Sequence, residues 1–454
     1  MRHKSRRAAR VEARQPPQER VQEPAAEEVA TDIPAEEPAV VTHTPAKPAE
    51  QEPQDGVVLT PATLPTPRAP AAPLDPRGHL ALIARGVLPE WWAENPPLLV
   101  LSGARWTSTG GGQRPVQLAR CWRAMGREVL YISHRGEPCN VQEGVLCASI
   151  DHLEQWLPQL AQWRGELFCG FPSYYWHTHG QLRNWTTILD ICDDWEEFLR
   201  IGAVTTEHWS PAVVGSAFRD ARLLTYTAAS LESFCRRYGK APTLLVPNGG
   251  PAVPTPRTHP PGMPLGQGLN VVFCGALWGR WIDWQAVLQM ARDLAAKDPE
   301  ARVHVIGGFD NSGSPPPRPT EPNMRHYGER PYAEAMRMIA ACDVGLIPFQ
   351  GPELCRAVDA NKWYDYIAAG IPTVATDVME DLRGRPYTYL CEPQELARTV
   401  LLASRQGRIP AAEVARLTAA GSWEVCARQI LDAFEDLRKR PVRRIVVWER
   451  ERHG

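Results

Sequence analysis

Nowhere does the chain carry an apolar run long enough to span a bilayer, and its first residues, Met1–Arg14, are arginine-rich without the apolar stretch of a secretory signal. Its cysteines, 11 in 454 residues, form no Cys-x-x-Cys pair and join no histidines at metal-ligand spacing. Several of them, such as Cys169, Cys192 and Cys274, lie inside apolar strand-like runs, where the reduced thiol acts as a small hydrophobe. That pattern favours a reducing cytosol over a disulfide framework. A formal net charge of -2 argues against nucleic-acid binding driven by overall charge. Walker A is missing. The dinucleotide fingerprint is missing too, since Pro115 stands where its third glycine belongs and the second strand lacks a terminal acid.

What is present is uneven. Residues 1–76 are rich in Pro, Ala, Glu and Gln and nearly free of aromatics, too polar to offset their chain entropy, so this tail is expected to be disordered. Its tip, Arg2-His3-Lys4-Ser5-Arg6-Arg7, is basic. A short apolar helix over Gly78–Gly86 and the pair Trp91-Trp92 come next and are expected to pack on the first folded unit. From there to Pro247, strand patterns at Leu98–Ser102, Glu128–Ser133, Glu166–Cys169, Thr187–Cys192, Ala221–Thr225 and Thr243–Val246 are joined by helical patterns at Arg114–Met125 and Asp151–Gln162. Residues 248–269 are Pro- and Gly-rich and read as a linker. Over 270–438 the alternation restarts, with strands Asn270–Gly275 and Arg302–Gly307 and helices Trp284–Lys297 and Pro331–Ala341. Helices at Pro393–Ser404, Ala411–Ala420 and Trp423–Arg438 close the second unit, and 439–454 form a basic tail. Alternation of this kind builds parallel α/β sheets, here two of them facing a central cleft.

The most telling stretch runs from Cys342-Asp-Val-Gly-Leu-Ile-Pro-Phe349 to Asn361-Lys-Trp-Tyr-Asp-Tyr-Ile-Ala-Ala-Gly-Ile-Pro-Thr-Val-Ala-Thr376. Buried strands at Val344–Ile347 and Thr373–Ala375 flank a helix ended by Gly370 with Pro372 just beyond. On that helix Lys362, Asp365 and Tyr366 share one face at i, i+3 and i+4, placing a cation and a carboxylate together near the helix start. Thr109-Gly110-Gly111-Gly112 lies between the first strand and its helix, where glycines let backbone N–H groups approach an anion; a surface turn is the alternative. Leu189-Asp-Ile-Cys-Asp193-Asp194-Trp195 runs a strand into an acidic pair. Adjacent carboxylates at a cleft raise each other's pKa, which suits a general base, while either residue could equally cap the helix that follows. In Gly275-Ala-Leu-Trp-Gly-Arg280-Trp-Ile-Asp-Trp284, the Arg280 guanidinium matches phosphate oxygens, or is simply solvated among packing tryptophans.

The 342–376 stretch resembles the donor-binding segment of GT-B glycosyltransferases, in particular family 4 and related cell-envelope enzymes of teichuronic-acid type. The likeness covers about Asn270 to Phe434 well and the N-terminal half more loosely. It implies a GT-B fold: two Rossmann-like domains, 77–247 on the acceptor side and 270–438 binding a nucleotide sugar. It implies transfer of a sugar from a nucleotide-diphosphate sugar to an acceptor hydroxyl on an envelope glycan or a lipid-linked acceptor, with retention of configuration and no cofactor. In such enzymes the glycine loop faces the diphosphate, which places Gly110, Gly111 and Gly112 with Arg280 and Lys362 on the donor. A Tyr-Asp-x-x-Asp-Asp run is similar to that ending in Asp193 and Asp194, the catalytic candidates. The family's second acid, usually a glutamate on the donor ribose, corresponds to Asp365, and its first acid would fall at Ala357, which cannot serve. No Asp-x-Asp occurs, so the diphosphate charge falls to Lys362, Arg280 and helix N termini, and no metal is expected. Localisation is expected to be cytoplasmic, with a peripheral contact to the inner membrane face open to basic segments such as Arg438-Lys439-Arg440, and no nucleic-acid partner. Two other readings stand beside this one: a sugar-nucleotide epimerase or hydrolase on the same fold, and a non-catalytic binding protein that retains it.

Overall fold

A computed structural model describes residues 78–106, 112–277, 281–308 and 321–439. The N-terminal tail, Gly110, Gly111, Arg280 and the basic tail beyond Lys439 lie outside the described residues.

In the first half, α1 (Gly78–Ile83) leads into β1 (Leu98–Leu101), α2 (Arg114–Ala124), β2 (Val129–Ser133), β3 (Asn140–Gln142), β4 (Val145–Ser149), α3 (Ile150–Leu160) and β5 (Glu166–Cys169). It continues through β6 (Thr186–Ile191), α4 (Trp195–Arg200), α5 (Pro211–Asp220), β7 (Leu223–Tyr226), α6 (Leu231–Tyr238) and β8 (Thr243–Leu245). The eight strands are ordered β3-β4-β2-β1-β5-β6-β7-β8. Every neighbouring pair is parallel except the β3/β4 hairpin. β1, β2, β4 and β5 are buried along their whole length because helices cover both sheet faces, which is why they are mainly apolar, without polar alternation. Of the tryptophan pair, Trp92 is buried and donates to Glu128 Oε2 at 2.6 Å, whereas Trp91 remains 47 % exposed.

The second half holds β9 (Asn270–Cys274), α7 (Trp284–Lys297), β10 (Arg302–Ile306), β11 (Met324–His326), α8 (Tyr332–Ala341), β12 (Val344–Ile347), α9 (Pro352–Cys355) and α10 (Asn361–Ala368). After these come β13 (Thr373–Thr376), β14 (Thr388–Cys391), α11 (Leu396–Arg405), α12 (Ala411–Ala420) and α13 (Trp423–Lys439). Its six strands are all parallel, ordered β11-β10-β9-β12-β13-β14. Both sheets are doubly wound, so their carboxyl ends carry the loops that face the cleft.

One expectation needs correction. The sequence pattern makes the last helix close the second domain, yet α13 crosses back and packs on α2 and β6 of the first. Trp423, Ile430 and Phe434 join Leu98, Val116, Trp122 and Phe168 in one apolar cluster, and Trp122 Nε1 donates to Ala427 O at 3.0 Å. The chain therefore passes between the domains twice. The two crossings run side by side, with Gly250 N donating to Gly421 O at 2.9 Å and Trp423 N to Gly250 O at 3.0 Å.

Candidate functional site

The second-domain part of the candidate site is assembled from strand ends. α10 begins at Asn361 behind Ala360, which provides no side-chain cap for the first-turn N–H groups at the positive end of the helix. Lys362, in that first turn, projects between aromatic faces. Its Nζ lies 5.0 Å from the Phe349 ring centroid and 5.7 Å from that of Phe273. No ion pair holds it among the described residues. The stem passes over Gly275 at the end of β9, where a Cβ would stand 2.5 Å from Lys362 Cε. Gly275 has φ +151° and leaves room for the amine, while its carbonyl oxygen would sit 1.8 Å from a Cβ at Gly307 after β10, so the second glycine lets the two strand-end backbones approach each other. Burial pulls the Lys362 pKa down, opposed by the charges of Cys274 and Asp365.

Asp365 sits one turn along the same helix, as the spacing required. Burial pushes its carboxyl up to about 7, opposed by a hydrogen bond and by the Lys362 charge. The hydrogen bond is from Tyr332 Oη, which donates to Asp365 Oδ1 at 2.6 Å. Tyr332 opens α8, and its ring is where the first domain arrives: a Cβ on Gly112 would lie 3.0 Å from Tyr332 Cδ2. The described part of the glycine loop thus reaches the start of α8 in the second domain. A larger residue at Gly112 would have to displace the tyrosine that holds Asp365.

In the first domain the structure separates the acidic pair. Asp194 is the N-cap of α4: its Oδ1 accepts from the backbone of Glu196 and Glu197, both at 3.1 Å. Asp193 is not spent in this way. Its carboxyl is pushed up to about 6, first by burial; Cys192 Sγ opposes, donating to Oδ2 at 3.2 Å, and the charges of Asp190 and Asp194 add to the rise. Burial, more than mutual repulsion of neighbours, is the cause. From α4 a second bridge crosses the cleft, Phe198 to Trp281 at 5.7 Å between ring centroids and Trp281 to Phe349 at 5.3 Å. Between α4 and α9 opens a cavity of about 390 Å³, lined by Glu197, Arg200, Ile201 and residues 351–354.

Ala357, where the resembling family has its first acid, is buried in the apolar core beneath the first sheet. A carboxylate there would be desolvated without a partner. Tyr332, Phe349 and Phe273 carry the site's geometry, and sequence reading did not assign the first or the last. Their signal was faint: Tyr332 follows Pro331 at a helix start, and Phe273 looks like any strand residue. Among the described residues no cluster of three or more His, Cys, Asp or Glu is arranged to hold a metal ion, and no helix is long and apolar enough to cross a membrane.

Two parallel-sheet domains with strand ends converging on one cleft recur in solved glycosyltransferase structures. Alr3699/HepE of Anabaena, in complex with UDP and glucose, matches with TM-score 0.53 and 15% identity over 75% of this chain and 99% of that one. Trehalose-6-phosphate synthase OtsA matches with TM-score 0.52 and 12% identity, over 75% and 99% of the two chains. The α,α-trehalose-6-phosphate synthase of Burkholderia multivorans gives 0.51 and 10%, over 76% and 99%. The fold is GT-B. At these identities the likeness establishes architecture alone. No protein-family model matches the sequence, and no curated protein matches it.

Proposed function

We propose that this protein is a glycosyltransferase that holds a nucleoside-diphosphate sugar on its second domain and passes the sugar to an acceptor hydroxyl presented from the first. The observation that carries this reading is Lys362, an amine kept inside a glycine-floored aromatic recess without an ion pair among the described residues, one helical turn before Asp365. An amine so placed has no ion-pair partner among the described residues. A diphosphate supplies one, and the N terminus of α10 favours it further. Asp365 then accepts from ribose hydroxyls, with Tyr332 fixing its rotamer. Asp193 takes the acceptor proton or orients the hydroxyl, and the cavity between α4 and α9 lodges the acceptor.

The finer assignments rest on the family resemblance of 342–376: retention of configuration, charge neutralisation by Lys362, Arg280 and helix N termini in place of a metal, and an acceptor in envelope polysaccharide or glycolipid synthesis. Support for a cytoplasmic enzyme touching the inner membrane face comes from the edge of the first sheet opposite the cleft. Loops entering strands there carry Arg127, Arg164, Arg183, Arg222 and Lys240. α13 ends among them with Arg438 and Lys439, next to a tail containing Arg440, Arg443, Arg444 and Trp448. That orientation turns the cleft away from the bilayer and suits an extended glycan better than a bare headgroup.

Thermal melting of the full chain with UDP, GDP and other nucleoside diphosphates tests the reading. One nucleotide should raise the melting temperature, and Lys362→Ala should abolish the rise. No shift with any nucleotide in the wild type would sink the proposal. Products from the donor sugar without acceptor distinguish transfer from the rivals: an epimer or free sugar alone identifies an epimerase or a hydrolase.

A further inference from the structure

An unbroken chain of polar side chains, most of them buried, runs from the first sheet through the linker into the second domain. On β6, Asp190 accepts from Arg114 Nε at 2.8 Å and Nη2 at 3.0 Å, with Thr225 Oγ1 donating at 2.6 Å. Arg114 Nη1 reaches onward to the linker, donating to Pro247 O at 2.8 Å and Asn248 Oδ1 at 3.3 Å. Asn248 spans to the other domain: its backbone N donates to Asp359 Oδ2 at 2.5 Å and its Nδ2 to Asp359 O at 2.8 Å. Asp359 Oδ1 in turn accepts from Arg385 Nη2 at 2.8 Å, and the same nitrogen pairs with Asp381. The Arg385 guanidinium lies over the rings of Trp363 and Tyr364, at 4.6 and 5.0 Å.

The reaction as read above uses none of these groups, yet each anchor lies beside one that it does use. Arg114 comes just after Gly112, Asp190 just before Asp193, and Asp359 just before Lys362. Buried ion pairs are a weak source of stability, since apolar side chains of similar volume do as well. Directional bonds fix register instead. We propose that Asp190, Arg114, Asn248, Asp359 and Arg385 are positioning residues forming one interdomain clasp, which sets the glycine loop, Asp193 and the donor helix in their working relation. The proposal rests on the glycosyltransferase reading for what is positioned, but not for the clasp itself.

Asn248→Ala removes both side-chain bonds of the middle link, to Arg114 and to Asp359 O, keeps the backbone N–H to Asp359 Oδ2, and leaves the Arg114–Asp190 and Asp359–Arg385 pairs whole, so each domain keeps its own charge balance. Hydrogen–deuterium exchange on the full ligand-free chain should then quicken about tenfold at 247–250, 421–423 and the first turn of α10, with the melting temperature nearly unchanged. Titration with UDP should show affinity about tenfold weaker, and Arg114→Lys combined with Asn248→Ala should weaken it by less than the product of the single effects. Exchange unchanged at α10, or raised evenly through both sheets with a lowered melting temperature, overturns the clasp and leaves a merely structural network. Independent, multiplicative effects of the two substitutions overturn it as well. Should the wild type bind no nucleoside diphosphate, the functional reading fails while the exchange pattern still decides the clasp.

Discussion

Arg114 and Lys362 occupy matching places in the two domains, each a cation in the first turn of a helix at the carboxyl edge of a parallel sheet. Their surroundings differ completely. Arg114, 3 % exposed, has every arm engaged: both oxygens of Asp190, a linker carbonyl and Asn248. Burial acts to lower its pKa, but the charge and hydrogen bonds of Asp190 prevail and raise it. Lys362 is met by ring faces, a glycine floor and a carboxylate one turn on that is itself hard to ionise, and its pKa falls. A cation with its counter-charge built in holds a fold together. Lys362 has no ion-pair partner among the described residues, and the proposed diphosphate site rests on that difference.

The strongest test of that contrast removes each cation in turn. Arg114→Ala leaves Asp190 buried and unpaired and should cost about 3–5 kcal/mol of stability, read by chemical denaturation. Lys362→Met should do the reverse, raising the melting temperature because a buried amine no longer has to be charged, while weakening nucleoside-diphosphate binding about 100-fold. If both substitutions destabilise alike, the two cations are equivalent and the distinction falls.

Asp365→Asn sharpens the comparison through pH. With a folded-state pKa of about 7, above the ordinary carboxylate range, protonated Asp365 supports the fold fully below about pH 4 and loses that support as pH rises through 7. The variant should therefore be more stable than wild type at pH 8, by about 4 kcal/mol, with the gap closing toward pH 4. A gap of constant size would assign the effect to packing. For Asp193, held at about 6, the rate of sugar transfer should rise through pH 6 and lose that acid limb in Asp193→Asn.

Smallest is the effect expected at its neighbour. Asp194→Ala removes the α4 cap and should cost about 1 kcal/mol, seen as a modest drop in melting temperature with the pH profile of the rate unchanged. A lost acid limb in this variant would transfer the catalytic role from Asp193 to Asp194.

Much of the architecture was legible because its signals are local. Strands Glu166–Cys169 and Val344–Ile347 and helices Trp284–Lys297 and Ala411–Ala420 have the bounds that periodicity, caps and breakers indicated. The β3/β4 hairpin was not legible: Glu143, an unusual residue for positive φ, takes 51° before Gly144, where Asn or Asp is the usual partner of the turn glycine. α5 was overlooked although Ser210 and Pro211 announce a helix start.

Sequence by itself determined the alternation of strand and helix, the two-domain division and the placing of Lys362 and Asp365 on one helical face, since each follows from spacings of a few residues. Only the tertiary structure decided that α13 returns to the first sheet, that Asp194 is a cap while Asp193 is not, and that Gly112 meets Tyr332. Those outcomes depend on which surfaces exclude water together and which charges find partners, and partners hundreds of residues apart leave no mark on local pattern.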